Sequence, residues 1–379
     1  MLERTKKFCD SFLEIGLPGF DLAVWQKGKC ILRHQSGYRD LENKIPVDGT
    51  ERYNIYSCTK LFTCVAAMQL WEQGLFDLEE PLSKYLPEFQ SMTVATEEGV
   101  VPASNPILIR HLFEMTAGFS YNTASPSILR CKEETNGRCP TREAMKYIAR
   151  EPLLFEPGDR WEYSLCHDVL AGLVEVLSSE KFEDYVQEHI FNVVGMKRTT
   201  LMLPEEELST IAPQFTFSKG KAKPIGPNIA SYKIGSEYAS GGAGGISTVD
   251  DYVQFLEALR TGKLLRPETV RLMATDRLTA HQKRTFWNKE THGYGLGVRC
   301  HKTGGLLSDF GWGGAAGAFL SIDLENEISI YFGTHCTNSP SRGLRHYIYR
   351  MVRAELLDPA DLPALQKELQ SSYKYEMNY

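Results

Sequence analysis

The most apolar stretch of the chain begins after Asn54 and runs towards Gly74. Its apolar residues are spread around the whole circumference of a helix: Leu61, Phe62, Cys64, Val65, Ala66, Ala67, Met68, Leu70 and Trp71. A helix that is apolar on all sides is typical of the interior of a large protein. We therefore predict a buried helix here, with the rest of the fold packed around it.

Patterns on either side of this helix indicate a mixed α/β chain. Residues 2–16 have the amphipathic period of a helix, and residues 20–26 and 29–35 read as two strands that turn at Lys27-Gly28. Towards the C-terminus, residues 294–300, 317–323 and 327–332 read as strands. Helices are predicted from the cap at Thr248 to Arg260 and over residues 344–357.

Residues 81–244 alternate short helical patterns with loops marked by proline and glycine. We predict a mostly helical domain inserted into an α/β domain made of residues 1–80 and 245–357. The polar stretch 358–379 is expected to form a loosely packed tail.

Composition narrows the possible functions. The 379 residues are 42% hydrophobic and 24% charged, with a net charge of -6 and no basic run, which argues against nucleic acid or an anionic membrane as a partner. No signal-peptide core and no run of some 18 apolar residues is present, so we expect a cytoplasmic protein. The nine cysteines show no C-x-x-C spacing, which predicts reduced thiols, no metal site and no cofactor.

Candidate chemistry lies at the start of the apolar helix, where Ser57 is followed three residues later by Lys60. Residues three apart share one face of a helix, so the lysine could take the serine proton during nucleophilic attack. Burial would lower the pKa of that lysine and favour its neutral form. Two alternatives remain open: the Ser-x-x-Lys spacing is a helix cap that arose by chance, or Cys58 is the nucleophile.

Four motifs together resemble the penicillin-recognising serine hydrolase superfamily, and within it class C β-lactamases and family VIII carboxylesterases. They are Ser57-x-x-Lys60, Trp161-Glu162-Tyr163-Ser164, the glycine-rich run 241–248, and the stretch 310–317 that contains Trp312-Gly313-Gly314. The resemblance extends over about residues 5–355. It implies an antiparallel sheet flanked by helices, an inserted helical domain, and an active site between the two.

The resemblance also implies roles for individual residues. Ser57 would be the acylated nucleophile, Lys60 its proton acceptor, and Tyr163 the group that passes a proton to the leaving group. The backbone N–H groups of Ser57 and Ala315 would form the oxyanion hole. The substrate-binding residues would be Trp312, Gly313, Gly314, Leu165 and, after the Ala117-Gly118 turn, Tyr121.

Two departures from the β-lactamase pattern bear on the substrate. Leu165 replaces the asparagine of the Tyr-x-Asn element, and Trp312 takes the place of the lysine in the Lys-Thr-Gly strand unless Lys302-Thr303-Gly304 is that strand instead. An aromatic wall without that lysine favours small uncharged esters, so we predict a carboxylesterase that acts on a small molecule. The alternatives are a β-lactamase, a D-amino-acid peptidase or DD-peptidase, an acyltransferase, and a non-catalytic ligand-binding relative.

Overall fold

A computed structural model describes residues 1–226, 232–301 and 308–376. Its strands are β1 (Gly19–Gln26), β2 (Lys29–Asp40), β3 (Ile45–Pro46), β4 (Tyr53–Asn54), β5 (Thr93–Thr96), β6 (Gly99–Pro102), β7 (Gln214–Ser218), β8 (Lys221–Ile225), β9 (Ile246–Ser247), β10 (His292–Tyr294), β11 (Arg299–His301), β12 (Asp309–Gly313), β13 (Phe319–Asp323), β14 (Ile328–Gly333) and β15 (Cys336–Thr337). Its α-helices are α1 (Glu3–Glu14), α2 (Thr59–Glu72), α3 (Ile109–Phe113), α4 (Pro126–Glu134), α5 (Thr141–Ile148), α6 (Cys166–Ser178), α7 (Phe182–Val186), α8 (Asn192–Val194), α9 (Val249–Arg260), α10 (Pro267–Met273), α11 (Tyr347–Leu356) and α12 (Leu362–Glu376).

The centre of the fold is an eight-stranded antiparallel sheet in the order β10-β11-β12-β13-β14-β1-β2-β3. Its first hairpin turns at Lys27 and Gly28, whose φ angles of 51° and 74° suit a two-residue primed turn between twisted strands. The predicted hairpin and the antiparallel sheet flanked by helices are therefore confirmed.

Helices cover both faces of this sheet. On one face, α1, α11 and α12 bury an apolar layer that includes Phe12 and Phe332. On the other face, α9 lies against β1 and β14, and Tyr252 of this helix stacks on Tyr331 of β14 with ring centroids 4.1 Å apart. The predicted helix α2 is buried on this second face, where it packs against α6.

Helices dominate the region between residues 81 and 201, where α3 and α5 pack around α6. Two hairpins, β5–β6 and β7–β8, add strands to residues 81–244. The division of the chain into an α/β domain and an inserted helical domain stays a prediction.

Two local predictions were wrong. Residues 294–300 form a hairpin of β10 and β11 because the chain reverses between them at Gly295 and at Gly297, where φ is 82°. The described part of the expected loose tail is not loosely packed, because Leu362–Glu376 form α12, which packs on α11 and buries Leu362, Leu365 and Leu369 in the apolar cluster on this face of the sheet.

Among the residues that the structure describes, no helix has an apolar run long enough to cross a membrane.

We expect Leu365→Ala to destabilise the protein by about 2–4 kcal/mol, because it removes buried methyl groups from the apolar cluster in which α12 packs on α11. Chemical denaturation would measure the loss. The matched variant Gln366→Ala, at an exposed position of the same helix, should change the free energy of unfolding by less than about 0.5 kcal/mol. Equal effects of the two substitutions would contradict the packing of α12.

Candidate active site

The candidate nucleophile Ser57 lies in a 3-10 turn, Tyr56–Cys58, which leads directly into α2. Tyr56 has a φ of 48°, a left-handed conformation that is unfavourable for an aromatic residue. Its hydroxyl accepts a hydrogen bond of 2.5 Å from Nε2 of Gln214 in β7. Neighbouring structure therefore holds the backbone of this turn in a strained conformation that presents Ser57 at the start of the helix.

The hydroxyl of Tyr163 donates a hydrogen bond of 2.5 Å to Oγ of Ser57. The indole N–H of Trp312 donates to the same tyrosine oxygen at 3.3 Å. The ring of Tyr163 lies between Tyr121 and Trp312 and stacks on both, with centroid distances of 5.4 and 5.7 Å. Three motifs that are far apart in the sequence thus meet at one hydroxyl group.

Lys60 is completely buried, and its ammonium group donates a 2.8 Å hydrogen bond to the carbonyl of Gly242. Its Nζ also lies 4.5 Å from the ring centroid of Tyr163. Burial by itself would lower the lysine pKa, but attraction to Tyr121, Tyr163 and Asp168 outweighs burial and raises the pKa above its ordinary value. The expectation of a lowered lysine pKa was therefore wrong, and Lys60 is a cation at neutral pH.

Asp168 at the start of α6 supplies negative charge near Lys60. Its Oδ1 accepts hydrogen bonds from the hydroxyls of Tyr238 at 2.8 Å and Ser240 at 2.7 Å. Gly242 lies between the two charges, because a Cβ there would come within 2.4 Å of Oδ2 of Asp168 and 3.3 Å of Nζ of Lys60. Sequence reasoning missed Asp168, and the glycine run 241–245 was the signal that a close approach occurs here.

The end of β12 forms one wall of the site. Gly314 packs so closely on the serine turn that a Cβ would lie 2.4 Å from the carbonyl oxygen of Ile55. Nη1 of Arg345 donates to the carbonyls of Gly314 at 2.6 Å and Ala318 at 2.9 Å. These contacts fix the turn that carries Ala315.

A cavity of about 790 Å³ opens onto these groups. Its walls include most of the predicted site residues: Ser57, Tyr163, Trp312, Gly313, Gly314 and Ala315. Leu165 is buried in the apolar core. Tyr121 lies behind Tyr163 and faces Lys60. Neither of these two predicted residues is among the described residues that line the cavity. The competing Lys302-Thr303-Gly304 strand lies outside the described residues.

Two buried side chains and the alternative nucleophile Cys58 can also be placed. Trp161 is fully buried, and Nδ1 of His111 accepts a hydrogen bond from the N–H of Leu108, so both have structural contacts. Burial raises the pKa of the Cys58 thiol to about 12, which leaves very little thiolate at neutral pH. Within the described ranges, no group of three or more His, Cys, Asp or Glu side chains is arranged to hold a metal ion.

The class that this architecture defines is that of the β-lactamase-like and transpeptidase-like serine enzymes. The chain belongs to the Beta-lactamase family, whose family model matches residues 6–354. This match confirms the resemblance that the four motifs predicted, and it places the chain in a superfamily of serine hydrolases and acyltransferases.

Three similar proteins illustrate the range of this family. An uncharacterized protein of Mycobacterium tuberculosis (strain CDC 1551 / Oshkosh) is 29% identical over 364 residues, which cover 87% of this chain and 88% of the relative. The acyltransferase calJ of Penicillium decumbens is 28% identical over 354 residues, with 83% of each chain covered. The solved structure of EstCE1, a hydrolase with promiscuous acyltransferase activity, matches with a TM-score of 0.75 and 25% identity, covering 92% of this chain and 97% of that one.

We expect Ser57→Ala to abolish the formation of a covalent adduct with a fluorophosphonate probe, because it removes the hydroxyl in the cavity to which Tyr163 donates its hydrogen bond. Cys58→Ala should retain most of the labelling, since its buried thiol stays protonated. Intact-mass spectrometry of both variants measures the adduct, and iodoacetamide at the exposed Cys30 serves as the thiol control. Loss of labelling in Cys58→Ala alone would identify a thiol enzyme instead.

Proposed function

We propose that the protein is a serine carboxylesterase that cleaves its substrate through an acyl-enzyme on Ser57. The observation that supports this proposal is the 2.5 Å hydrogen bond between the hydroxyls of Tyr163 and Ser57, next to the buried ammonium of Lys60. A serine hydroxyl needs a neighbouring proton acceptor to become a nucleophile. In this site the group in contact with Ser57 is the tyrosine.

The contacts favour different roles for Lys60 and Tyr163 from the roles that the motifs imply. Lys60 Nζ donates to Gly242 O and stays charged, whereas the Ser57 hydroxyl meets Tyr163. We therefore propose that Tyr163 first releases its own hydroxyl proton to solvent and then takes the Ser57 proton, and that Lys60 acts by stabilising the negative charge that the tyrosine oxygen carries in between.

The proposed reaction has two halves. Ser57 Oγ attacks the ester carbonyl carbon while its proton moves to the oxygen of Tyr163, and the tyrosine then passes this proton to the alkoxide as the C–O bond breaks. In the second half, water loses a proton to Tyr163 as its oxygen attacks the acyl carbon. The carboxylic acid leaves, and the tyrosine returns the proton to Ser57.

The backbone N–H groups of Ser57 and Ala315 are proposed to stabilise the oxyanion in both halves, a contribution often worth about 3 kcal/mol per donor. Support comes from the contact between Gly314 and the Ile55 carbonyl, which brings the residue before Ala315 against the serine turn. Because Arg345 holds the carbonyls of Gly314 and Ala318, the Ala315 amide between them is kept in one orientation.

The cavity next to Ser57 has aromatic walls that suit an apolar group close to the reacting carbonyl. Trp312 forms one wall, and Trp287, which is 59% exposed, lies 5.0 Å from Tyr163 between ring centroids. Both tryptophans line the cavity together with Ser57. This arrangement supports esters over substrates that require a cation on the β12 strand.

A second candidate function is acyl transfer to an alcohol other than water. The cavity volume of about 790 Å³ is within the range of sites for drug-sized ligands, so it has room for an acyl-enzyme and an acceptor together. Acyl transfer is also named in the descriptions of two similar proteins, the acyltransferase calJ and a hydrolase with promiscuous acyltransferase activity, which supports this second candidate function. Added alcohol would divert the acyl group from acid to a new ester if this function applies.

We expect p-nitrophenyl butyrate to be hydrolysed with a kcat/KM at least about 100-fold above that for a chromogenic cephalosporin, because the wall strand carries Trp312 and no lysine. Tyr163→Phe should lower kcat for the ester by about 10²–10⁴-fold while the protein stays folded. Initial rates and circular dichroism spectra of wild type and variant would test both statements. Faster turnover of the cephalosporin would replace the proposal with a β-lactamase.

We expect Trp287→Ala to raise KM for p-nitrophenyl octanoate by about 10-fold while changing KM for the acetate ester by less than about twofold. The reason is that a long acyl chain covers the exposed indole and a short one does not reach it. Trp287→Phe should keep most of the preference. A uniform loss of kcat on all esters would mean that Trp287 supports Tyr163 and does not contact substrate.

A further inference from the structure

Three buried polar side chains behind the serine turn form a chain of hydrogen bonds. They are Asn54 of β4, Gln214 of β7 and His335, which directly precedes β15. Each of them is between 3% and 5% exposed, and none is among the described residues that line the cavity. Buried polar groups are costly unless they are paired in a defined geometry, so a chain of this kind holds its members in fixed orientations.

The direction of each hydrogen bond in this chain follows from one backbone carbonyl. The oxygen of Ala212 can only accept, so its 3.0 Å contact with Nδ1 of His335 requires a hydrogen on Nδ1. Burial lowers the pKa of His335 to about 4, so the ring is neutral at pH 7 and its Nε2 is an acceptor. Nδ2 of Asn54 donates to this Nε2 at 3.5 Å and to Oε1 of Gln214 at 3.4 Å. Nε2 of Gln214 is then free to donate to the hydroxyl of Tyr56 at 2.5 Å.

The last hydrogen bond of the chain is made to a residue in an unfavourable conformation. Tyr56 has a φ of 48° and directly precedes Ser57. Without a contact that holds its side chain, the backbone of this residue would relax towards negative φ. Such a rotation would also turn the peptide group that contains the N–H of Ser57, which is one of the two proposed oxyanion donors.

The segment that contains His335 also holds the turn that carries the second proposed oxyanion donor. The N–H of Cys336 donates a 2.9 Å hydrogen bond to the carbonyl of Ala316, the residue after Ala315. The carbonyl of His335 accepts a 2.8 Å hydrogen bond from the N–H of Phe215, which ties the segment to β7. Contacts to both turns of the proposed oxyanion hole therefore come together at His335 and its neighbour.

We propose that His335 is a positioning residue for the reaction of Ser57. Through the hydrogen-bond chain it keeps Tyr56 in its left-handed conformation, and this keeps the N–H of Ser57 aligned with the N–H of Ala315. The inference rests on the proposed acyl-enzyme mechanism and adds to it a residue that contacts neither the substrate nor the reacting atoms. His335 acts only through the residues that it orients.

The variant His335→Asn tests the first link of the chain. Asparagine can still donate to the carbonyl of Ala212, but it has no acceptor at the position of the imidazole Nε2. Because a displacement of about 1 Å can cost about 100-fold in rate, we expect kcat/KM for p-nitrophenyl butyrate to fall by about 10- to 100-fold. The Ki of 1,1,1-trifluoro-2-hexanone, which forms an oxyanion on a reactive serine, should rise by a similar factor. The Ki of butyramide, which binds without forming an oxyanion, should change by less than about twofold.

A comparison in a second background tests whether the chain acts through Tyr56. Glycine adopts positive φ without strain, so in the Tyr56→Gly background His335→Asn should lower kcat/KM by less than a further factor of about two. Tyr56→Asn is a second such background, since asparagine also tolerates the left-handed region. Gln214→Met should have the same effect as His335→Asn when Tyr56 is present and lose that effect in both backgrounds. Losses of equal size with and without Tyr56 would overturn the proposal.

The matched control is His34→Asn. Nε2 of His34 also has a hydrogen-bond partner, Oδ1 of Asp10 at 2.8 Å, and the residue is not among those described as lining the cavity. This variant should leave kcat/KM and both Ki values unchanged. A lowered melting temperature of His335→Asn with unchanged kcat/KM and Ki values would mean that His335 has only a structural role, and would overturn the proposal.

A reaction of Ser57 that needs no ester turnover separates this proposal from the esterase function. The rate of fluorophosphonate labelling should fall by about 10- to 100-fold in His335→Asn, because the probe also develops negative charge on an oxygen next to the attacked atom. Ester hydrolysis and labelling that are both unaffected by His335→Asn would overturn the positioning role and leave the esterase standing. Slower labelling of His335→Asn, in a protein whose wild type hydrolyses no ester, would support the positioning role and overturn the esterase.

Discussion

A single buried ammonium group constrains much of this protein. Lys60 is completely enclosed, and a cation in that position is tolerated only if hydrogen-bond acceptors and negative charge surround it. The carbonyl of Gly242, the ring of Tyr163 and the nearby Asp168 meet this requirement. They come from two segments of the sequence that are both distant from Lys60, so Tyr163 is held in place partly by the need to neutralise the lysine.

The residues of the candidate site could be singled out in the sequence because short motifs report local chemistry. Ser57 and Tyr163 each stand in a recognisable tetrapeptide, and the structure brings them into contact. The proposed roles of Lys60 and Tyr163 could not be inferred from these motifs. Spacing shows that Lys60 shares a helix face with Ser57, but not that a tyrosine more than a hundred residues away lies closer to the serine hydroxyl. Asp168 was missed for the same reason, since a lone acidic residue at the start of a helix is usually read as a cap.

The strands of the central sheet were predicted from patterns with a period of two residues. The two errors, at residues 294–300 and in the C-terminal helix, have physical causes. A glycine inside an apparent strand can mark a reversal of the chain, as at Gly297, and the pattern alone does not distinguish this from an interruption. The C-terminal helix was missed because its polar residues outnumber its apolar ones. Leu362, Leu365 and Leu369 nevertheless recur every three or four residues, which is the spacing that a narrow buried stripe requires.

The strained backbone at Tyr56 has a consequence for how this enzyme could change over evolution. A residue at a φ of 48° persists only because the surrounding contacts, including the hydrogen bond from Gln214, hold it there. Gln214 belongs to a small sheet in which β7 pairs with β15 and β8, remote in sequence from the serine motif. Mutations in that sheet can therefore alter the orientation of Ser57 without changing a residue that lines the cavity, so the serine turn and the cavity walls can vary independently over evolution.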